Sequence, residues 1–278
     1  MEEQRTLRRE PAGCTATGLL KLLALVFMFA DHSGKMVFGN MTELRMLGRL
    51  AFPIYCWCLA VGAHYTRSFP KYLLRLLALY ALSQPLYMVA LNHSWAEPNI
   101  FLTLAVAVLG LWGLREQRYG SHIWAPLLAL VLAELLDCNY GWTGVLLVFL
   151  MYLLRDSRVG LGCMLLCFCM YWGSSSSTLH TVFGMDLSGL TELPFGDIFK
   201  PFVKLQTWAL LSLPLILWRP PERLAKLRLP KWVGYGLYPA HLLLLLLLEG
   251  LQTNGWTAVY HRLMGLAVNP VLSLLGLR

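Results

Sequence analysis

The chain is a succession of apolar blocks separated by proline, glycine or charge, and the last of the long ones ends in seven uninterrupted leucines, Leu242 to Leu248. A helix needs roughly 20 predominantly apolar residues to cross the hydrocarbon core of a bilayer, and backbone at that depth must satisfy its own hydrogen bonds. A barrel of the outer membrane would show segments of about 10 residues in strict alternation, which uninterrupted runs exclude. Only 14% of the 278 residues are charged, against about 25% in a soluble domain, so an ordinary soluble globule is excluded too. The expected fold class is an all-α membrane protein, a polytopic bundle.

Splitting the blocks at their punctuation predicts helices over 18–39, 46–66, 72–91, 100–114, 123–136, 143–154, 161–173, 199–218 and 232–250, with a weaker tenth over 257–276. That is about ten transmembrane helices. Residues 1–17 form a polar tail, and 18–278 form a single multispanning domain. No small-residue cleavage site follows the first helix, so it reads as uncleaved. The one long connection, 174–198, begins Ser-rich and reads as a loop that folds over one face.

Orientation follows from Lys and Arg. With the N-terminus cytoplasmic, the inside segments hold 18 of the 23 basic residues, while 92–98, 137–142, 174–198 and 251–256 hold none. Lys35, Arg45, Arg49, Lys200 and Lys204 depart from the rule. The net charge of +8 therefore speaks of orientation and implies no nucleic-acid partner. The seven cysteines include no CxxC pair, so neither a metal site nor a disulfide framework is expected.

Ionisable residues inside apolar helices are costly and usually face a polar cavity. Asp31 and His32 sit in the first helix, where Asp31 has Lys35 at i+4. His32 is then either a site residue or an imidazole that merely bonds a carbonyl. Lys21 precedes His32 by eleven positions, about 16 Å along a helix. Alone, Lys21 reads as a snorkelling helix-end cation; paired with His32 it suits coenzyme A, which carries phosphates at one end and a thioester at the tip of a long arm. Arg45 and Arg49 stack at i and i+4, and Pro53 removes the amide that would bond the Arg49 carbonyl. Arg49 reads equally as a site residue or as the structural partner of Asp31. Further polar groups recur in apolar surroundings at Gln84, Asn99, Thr103, Asn139, Tyr140, Gln206 and His241, each alone more often a packing hydrogen bond than a site. His241 is expected in the cytoplasmic half of its helix, and the leucines after it as a lipid-facing surface.

The blocks LKLLALVFMFADHSGKMVF, LRMLGRLAFPIYCWCLAVGAHYTR, KYLLRLLALYALSQPLY, NIFLTLAVAV, NYGWTGVLLVFLMYL, QTWALLSLPLILW and GLYPAHLLLLLLL, in order from about residue 18 to 250, resemble the TraX family. That family is named for the conjugative-pilin acetylase, a membrane enzyme that acetylates the pilin N-terminus. It is similar to a larger group of multispanning acyltransferases carrying an Arg or Lys, ten residues, then His in the first helix. Lys21 and His32 fit that motif. The resemblance implies a bacterial inner-membrane acetyltransferase that uses acetyl-CoA as donor and a pilin, another peptide, or a hydroxyl compound as acceptor. His32 would be the general base, with Asp31 and Arg49 beside it; Lys21, Arg45 and His241 would hold the donor; Gln84, Asn99 and Tyr140 would meet the acceptor, and no metal is implied. Loop 174–198, the connection after Trp218 and the tail after 251 match no block. A transporter using Asp31, His32 and Arg49 as a relay is the alternative, although no inverted repeat is visible. A non-catalytic scaffold ranks below both.

Overall fold

The computed structural model describes residues 10–187, 189, 196, 200–225, 231–252 and 255–274. Its helices are α1 Thr17–Met36, α2 Thr42–Gly48, α3 Ala51–Tyr65, α4 Phe69–Leu91, α5 Ile100–Glu116, α6 Ser121–Leu135, α7 Gly141–Leu153, α8 Arg158–Ser174, α9 Ser212–Leu217, α10 Glu222–Ala225, α11 Lys231–Gly250 and α12 Gly255–Leu274. A 3₁₀ stretch, Leu205–Leu211, leads into α9. The described strands are β1 Thr181–Val182 and β2 Met185–Asp186, an antiparallel hairpin. The fold is all-α, and each of the ten expected segments contains helix.

Local chemistry sets the boundaries. Ser68 caps α4 by accepting from the Lys71 amide, and Asn92 ends that helix in the left-handed conformation. Asn99 caps α5 through the Phe101 amide at 3.0 Å, and Ser157 caps α8 through Gly160 at 3.0 Å. The expected second helix departs most from its predicted form. It starts earlier, at Thr42, and breaks at Arg49–Leu50 before resuming as α3. Pro53, the third residue of α3, cannot donate to the Arg49 carbonyl, which is where the helix opens.

Among the described residues, two stretches are long and apolar enough to cross a membrane, Thr42–Tyr65 taken through the break and Phe69–Leu91. Helices such as α7, with 13 residues, and α5 and α8, with 17 each, are shorter than a full crossing.

The centre of the bundle is α3, which is buried on almost every side from Ala51 to His64. A helix apolar all round belongs in a core. α1 runs antiparallel to it. Trp57 donates to the Cys14 carbonyl at 2.8 Å at one end, and Gly48 lies against Asp31 at the other. A Cβ on Gly48 would collide with the Asp31 side chain. Gly48→Ala is therefore expected to destabilise the protein by about 1–3 kcal/mol through overpacking, read as a lower Tm in detergent; an unchanged Tm would show that the α1–α2 contact yields easily.

The outer face of α6 exposes Ile123, Trp124, Leu127, Leu128, Val131 and Leu135. The leucine run divides by helical period, in contrast to its expected role as a lipid-facing surface. Leu242, Leu245 and Leu246 are buried, whereas Leu243, Leu244, Leu247 and Leu248 are exposed.

The connections sort to two ends. Asn139 meets Tyr87 and Gln252 bonds the Val37 carbonyl, which brings the basic-poor connections to the end that carries His32. Arg115, Arg155 and Arg158 bond backbone at the other end, near the start of α1. Arg262 needs correction: counted with the inside residues, it bonds the Ala90 carbonyl at 2.9 Å and pairs with Glu249 at 2.6 Å, at the His32 end. Pairing explains how a cation sits there against the charge rule. Arg5, Arg8, Arg9, Lys226, Arg228 and Arg278, also counted above, lie outside the described residues.

Candidate active site

At the His32 end a cavity of about 230 Å³ opens between α1, the α2–α3 break, α4, the 137–140 turn and α11. Met28, Asp31, His32 and Lys35 recur at helical spacing and give α1 one face on it. Of the residues expected in the site, Asp31, His32, Arg45, Arg49 and Tyr140 line it.

His32 is 9% exposed, and its Nδ1 lies 3.0 Å from Nε2 of His241. The ring centroids are 5.2 Å apart with planes within 15°, so the imidazoles meet edge to edge in nearly one plane. One proton is shared along that line. His241 Nδ1 is buried with no hydrogen-bond partner among the described residues. If that nitrogen carries the proton, Nε2 accepts from His32 Nδ1–H, and His32 Nε2 is left as a lone pair. His241, expected as a donor ligand in the cytoplasmic half of its helix, instead backs His32 and is absent from the cavity wall.

Arg49 is held by Asp31 at 2.5 Å, by the Gln206 side-chain carbonyl at 3.4 Å and by the Arg45 carbonyl at 3.3 Å. Asp31 forms its ion pair here and not with Lys35, its i+4 neighbour. Lys35 and Arg45 form no ion pair among the described residues, although Arg45 donates to Asn40 at 3.0 Å. The cavity is therefore cationic. Tyr140 adopts φ +68° at the start of α7, a left-handed conformation that costs a bulky residue roughly 1–3 kcal/mol. Packing determines it: the ring stacks on Phe52 at 4.1 Å and meets Trp172 edge-on at 5.0 Å. Burial pushes the Tyr140 hydroxyl above its ordinary value, leaving it a proton donor.

Gln84 and Asn99 do not line the cavity, which corrects their expected place against the acceptor. Gln84 accepts from the Asn99 amide at 2.8 Å and donates to the Glu97 carbonyl at 3.0 Å; Asn99 donates to the Tyr80 carbonyl at 3.2 Å. A buried amide so fully bonded to backbone is structural. Together they pin the 92–99 connection, whose His93 does line the cavity. Lys21 is exposed at the far end of α1. Eleven residues return a helix to nearly the same face, so Lys21 and His32 share one, and Met28 between them lines the cavity.

Sequence reasoning gives no place to His93 or Tyr87, and it marks Asn139 only as a polar group in apolar surroundings. Asn139 donates to the Tyr87 hydroxyl at 3.4 Å and its carbonyl accepts from Thr103 at 2.8 Å. Asn139 sits in a visible Asn139–Tyr140–Gly141 turn signal, whereas nothing in the sequence sets Tyr87 apart from aromatic residues that only pack helices.

The described part of segment 174–198 folds across α2, with the Phe183 amide donating to Glu43 at 2.8 Å. Beneath it a second cavity of about 270 Å³ lies among Asn40, Thr42, Arg45 and residues 177–181, so Arg45 belongs to both walls. Residues 188, 190–195 and 197–199 of the expected loop lie outside the described residues.

Glu97 offers a pH test. It accepts from the Ser94 amide at 2.8 Å and contacts His93 at 3.0 Å, and these bonds hold its carboxyl at about 2 instead of 4.5. A depressed carboxyl contributes above its ordinary value and loses that contribution as pH falls through the lowered one. Hydrogen exchange at the Ser94 amide is thus expected to stay protected, relative to its intrinsic rate, from pH 7 down to about pH 4.5; loss of protection between pH 7 and 5 would contradict the bond.

The family profile described as "TraX protein" matches residues 16–249. The chain belongs to the TraX family. The match takes in all nine residues expected in the site and ends before α12. The chain is also similar to "Probable fimbrial assembly protein FimC, serogroup H1" of Dichelobacter nodosus, 31% identical over 136 residues. That similarity covers 44% of this chain and 55% of the relative, about half its length. No solved structure matches.

Proposed function

We propose that this TraX-family chain is a multispanning acetyltransferase of the bacterial inner membrane, with about ten transmembrane helices and a cytoplasmic N-terminus. It moves acetyl from cytosolic acetyl-CoA to an amine, with a pilin or other peptide N-terminus as the favoured acceptor. The observation that carries the reading is His32: a buried imidazole, fixed at Nδ1 by His241, with its other nitrogen left for a ligand in a cationic cavity. Membership of TraX and similarity to a fimbrial assembly protein support the pilin acceptor.

In this reading the amine nitrogen attacks the acetyl carbonyl, His32 Nε2 takes the proton that nitrogen sheds, and the C–S bond breaks as that proton passes to the departing thiolate. Arg49 and Tyr140, both on the cavity wall, supply donors for the tetrahedral oxyanion. Asp31 holds Arg49 in place. Lys35 and Arg45 add the positive field in which a developing negative charge is favoured. The cavity is far smaller than a whole coenzyme A, so it receives the acetyl end and the acceptor amine. Lys21, on the same face of α1, would hold the phosphates at the cytoplasmic end.

Thermal unfolding of the detergent-purified protein with acetyl-CoA tests this. Binding to the native state raises Tm, so a dose-dependent rise with acetyl-CoA and none with acetate is expected. Indifference to acetyl-CoA at millimolar concentration would turn the same residues toward a relay transporter.

A further inference from the structure

An α-amine with a pKa near ~8 arrives at neutral pH mostly as ammonium and must lose one proton before it can attack and another as it does so. One imidazole in the cavity accounts for the second loss. The same cavity holds another: His93, directly after the left-handed Asn92 that ends α4. Its ring lies parallel to Tyr87, 4.9 Å between centroids and 4° between planes. Its Nδ1 is 3.0 Å from the Glu97 carboxylate. Glu97 is fixed in turn by the Ser94 amide, and its backbone by Gln84. A carboxylate on one ring nitrogen sets the tautomer and leaves the other as an acceptor, the arrangement found where imidazoles move protons. The His93 and Glu97 side chains are 24% and 49% exposed, so this pair reaches water, unlike His32.

We infer that His93, oriented by Glu97, is a second catalytic imidazole, which removes the first proton from an incoming ammonium group at the mouth of the cavity and releases it to solvent. The inference rests on the acetyltransferase reading above. The steps balance. Ammonium gives one proton to His93 Nε2 and becomes a neutral amine; His93 passes that proton to water. The amine then forms its C–N bond, its second proton goes to His32 and on to the thiolate, and the C–S bond breaks. Glu97 is a positioning residue throughout. Among the described residues, the charged groups that line the cavity with His93 are Asp31 and Lys35 from α1, Arg45 of α2 and Arg49 at the α2–α3 break, with the titratable His32, Tyr55, Tyr87, Tyr140 and Tyr238; Arg262 of α12 bonds the Ala90 carbonyl and pairs with Glu249.

The test compares two acceptors with wild type, His93→Gln and Glu97→Gln: a peptide α-amine, and an aromatic amine that is already neutral at pH 7. His93→Gln preserves a donor toward Glu97, and transfer to the aromatic amine reports folded enzyme in the same preparation. At pH 7 water alone leaves about one α-amine in ten neutral, so His93→Gln is expected to lose about tenfold with the peptide. The loss should vanish by about pH 9 and be absent at every pH with the aromatic amine. Glu97→Gln should show a smaller loss with the same acceptor and pH dependence. An undiminished rate with the peptide, or equal losses with both amines at unchanged Tm, overturns the inference while leaving His32 chemistry standing. A wild type inactive with either amine overturns the acetyltransferase reading and this inference with it.

Discussion

His32→Ala is expected to lower acetyl transfer by about 10²–10⁴-fold, the range over which a positioned general base contributes, and to lower Tm as well, because it orphans the buried His241 Nε2 at about 1–3 kcal/mol. The ring it removes is buried and bonded to a single side chain, His241. His241→Gln should give a smaller loss confined to kcat, because the amide can still bond His32 Nδ1 but no longer matches its proton demand. That split decides between two roles for His241. A donor ligand would raise the KM for acetyl-CoA at unchanged kcat; a partner that sets the His32 tautomer lowers kcat instead. A His32→Ala enzyme within threefold of wild type would remove the imidazole from the chemistry altogether.

Asp31→Ala carries the second large effect. The Asp31 and Arg49 side chains are 22% and 14% exposed, and removing one member of such a buried pair leaves the other charge uncompensated. Losses of about 3–5 kcal/mol are typical, and the remaining partners of Arg49, Gln206 and the Arg45 carbonyl, carry no charge. The double variant Asp31→Ala with Arg49→Leu should recover much of that stability, because no orphan charge remains, yet should remain poor in transfer for want of an oxyanion donor. Chemical denaturation of the four proteins in detergent measures the coupling. A single-variant loss under 1 kcal/mol, the scale of a surface ion pair, would place the pair in water-like surroundings.

The parts of this molecule legible from sequence are those where one residue type meets an environment hostile to it. Asp31, His32 and Arg49 sit in apolar helices, and no cheap solution exists for them except a partner or a cavity; the structure gives them both. Arg45 and Tyr140 reached the same wall for the same reason. Gln84 and Asn99 meet the same criterion yet lie off the cavity wall, because a polar group in an apolar segment also arises when a helix start needs a cap and a loop needs pinning. His93 and Glu97 lie in a polar connection where a histidine is unremarkable, and only the return of α4 toward α1 makes it a cavity residue. His241 stands near the middle of a 20-residue helix, so counting from the loop could not decide which end it serves. Arg262 followed the alternation of sides until its pair with Glu249 is seen, a contact between helices that no sequence period encodes. The break at Arg49–Leu50 is foreshadowed by Pro53, whereas the hairpin over α2 is held by the Phe183 amide on Glu43 and by Val182 packed with Met46, contacts that no sequence period encodes.

The most direct measurement is the fate of labelled acetyl-CoA incubated with detergent-purified wild-type protein and a pilin-like peptide bearing a free α-amine. Stoichiometric appearance of free CoA and α-acetylated peptide, abolished by His32→Ala and weakened through a raised acetyl-CoA KM by Lys21→Ala, is the result predicted. Intact acetyl-CoA and unmodified acceptor after prolonged incubation, with peptide, sugar and hydroxyl acceptors all supplied, would contradict it.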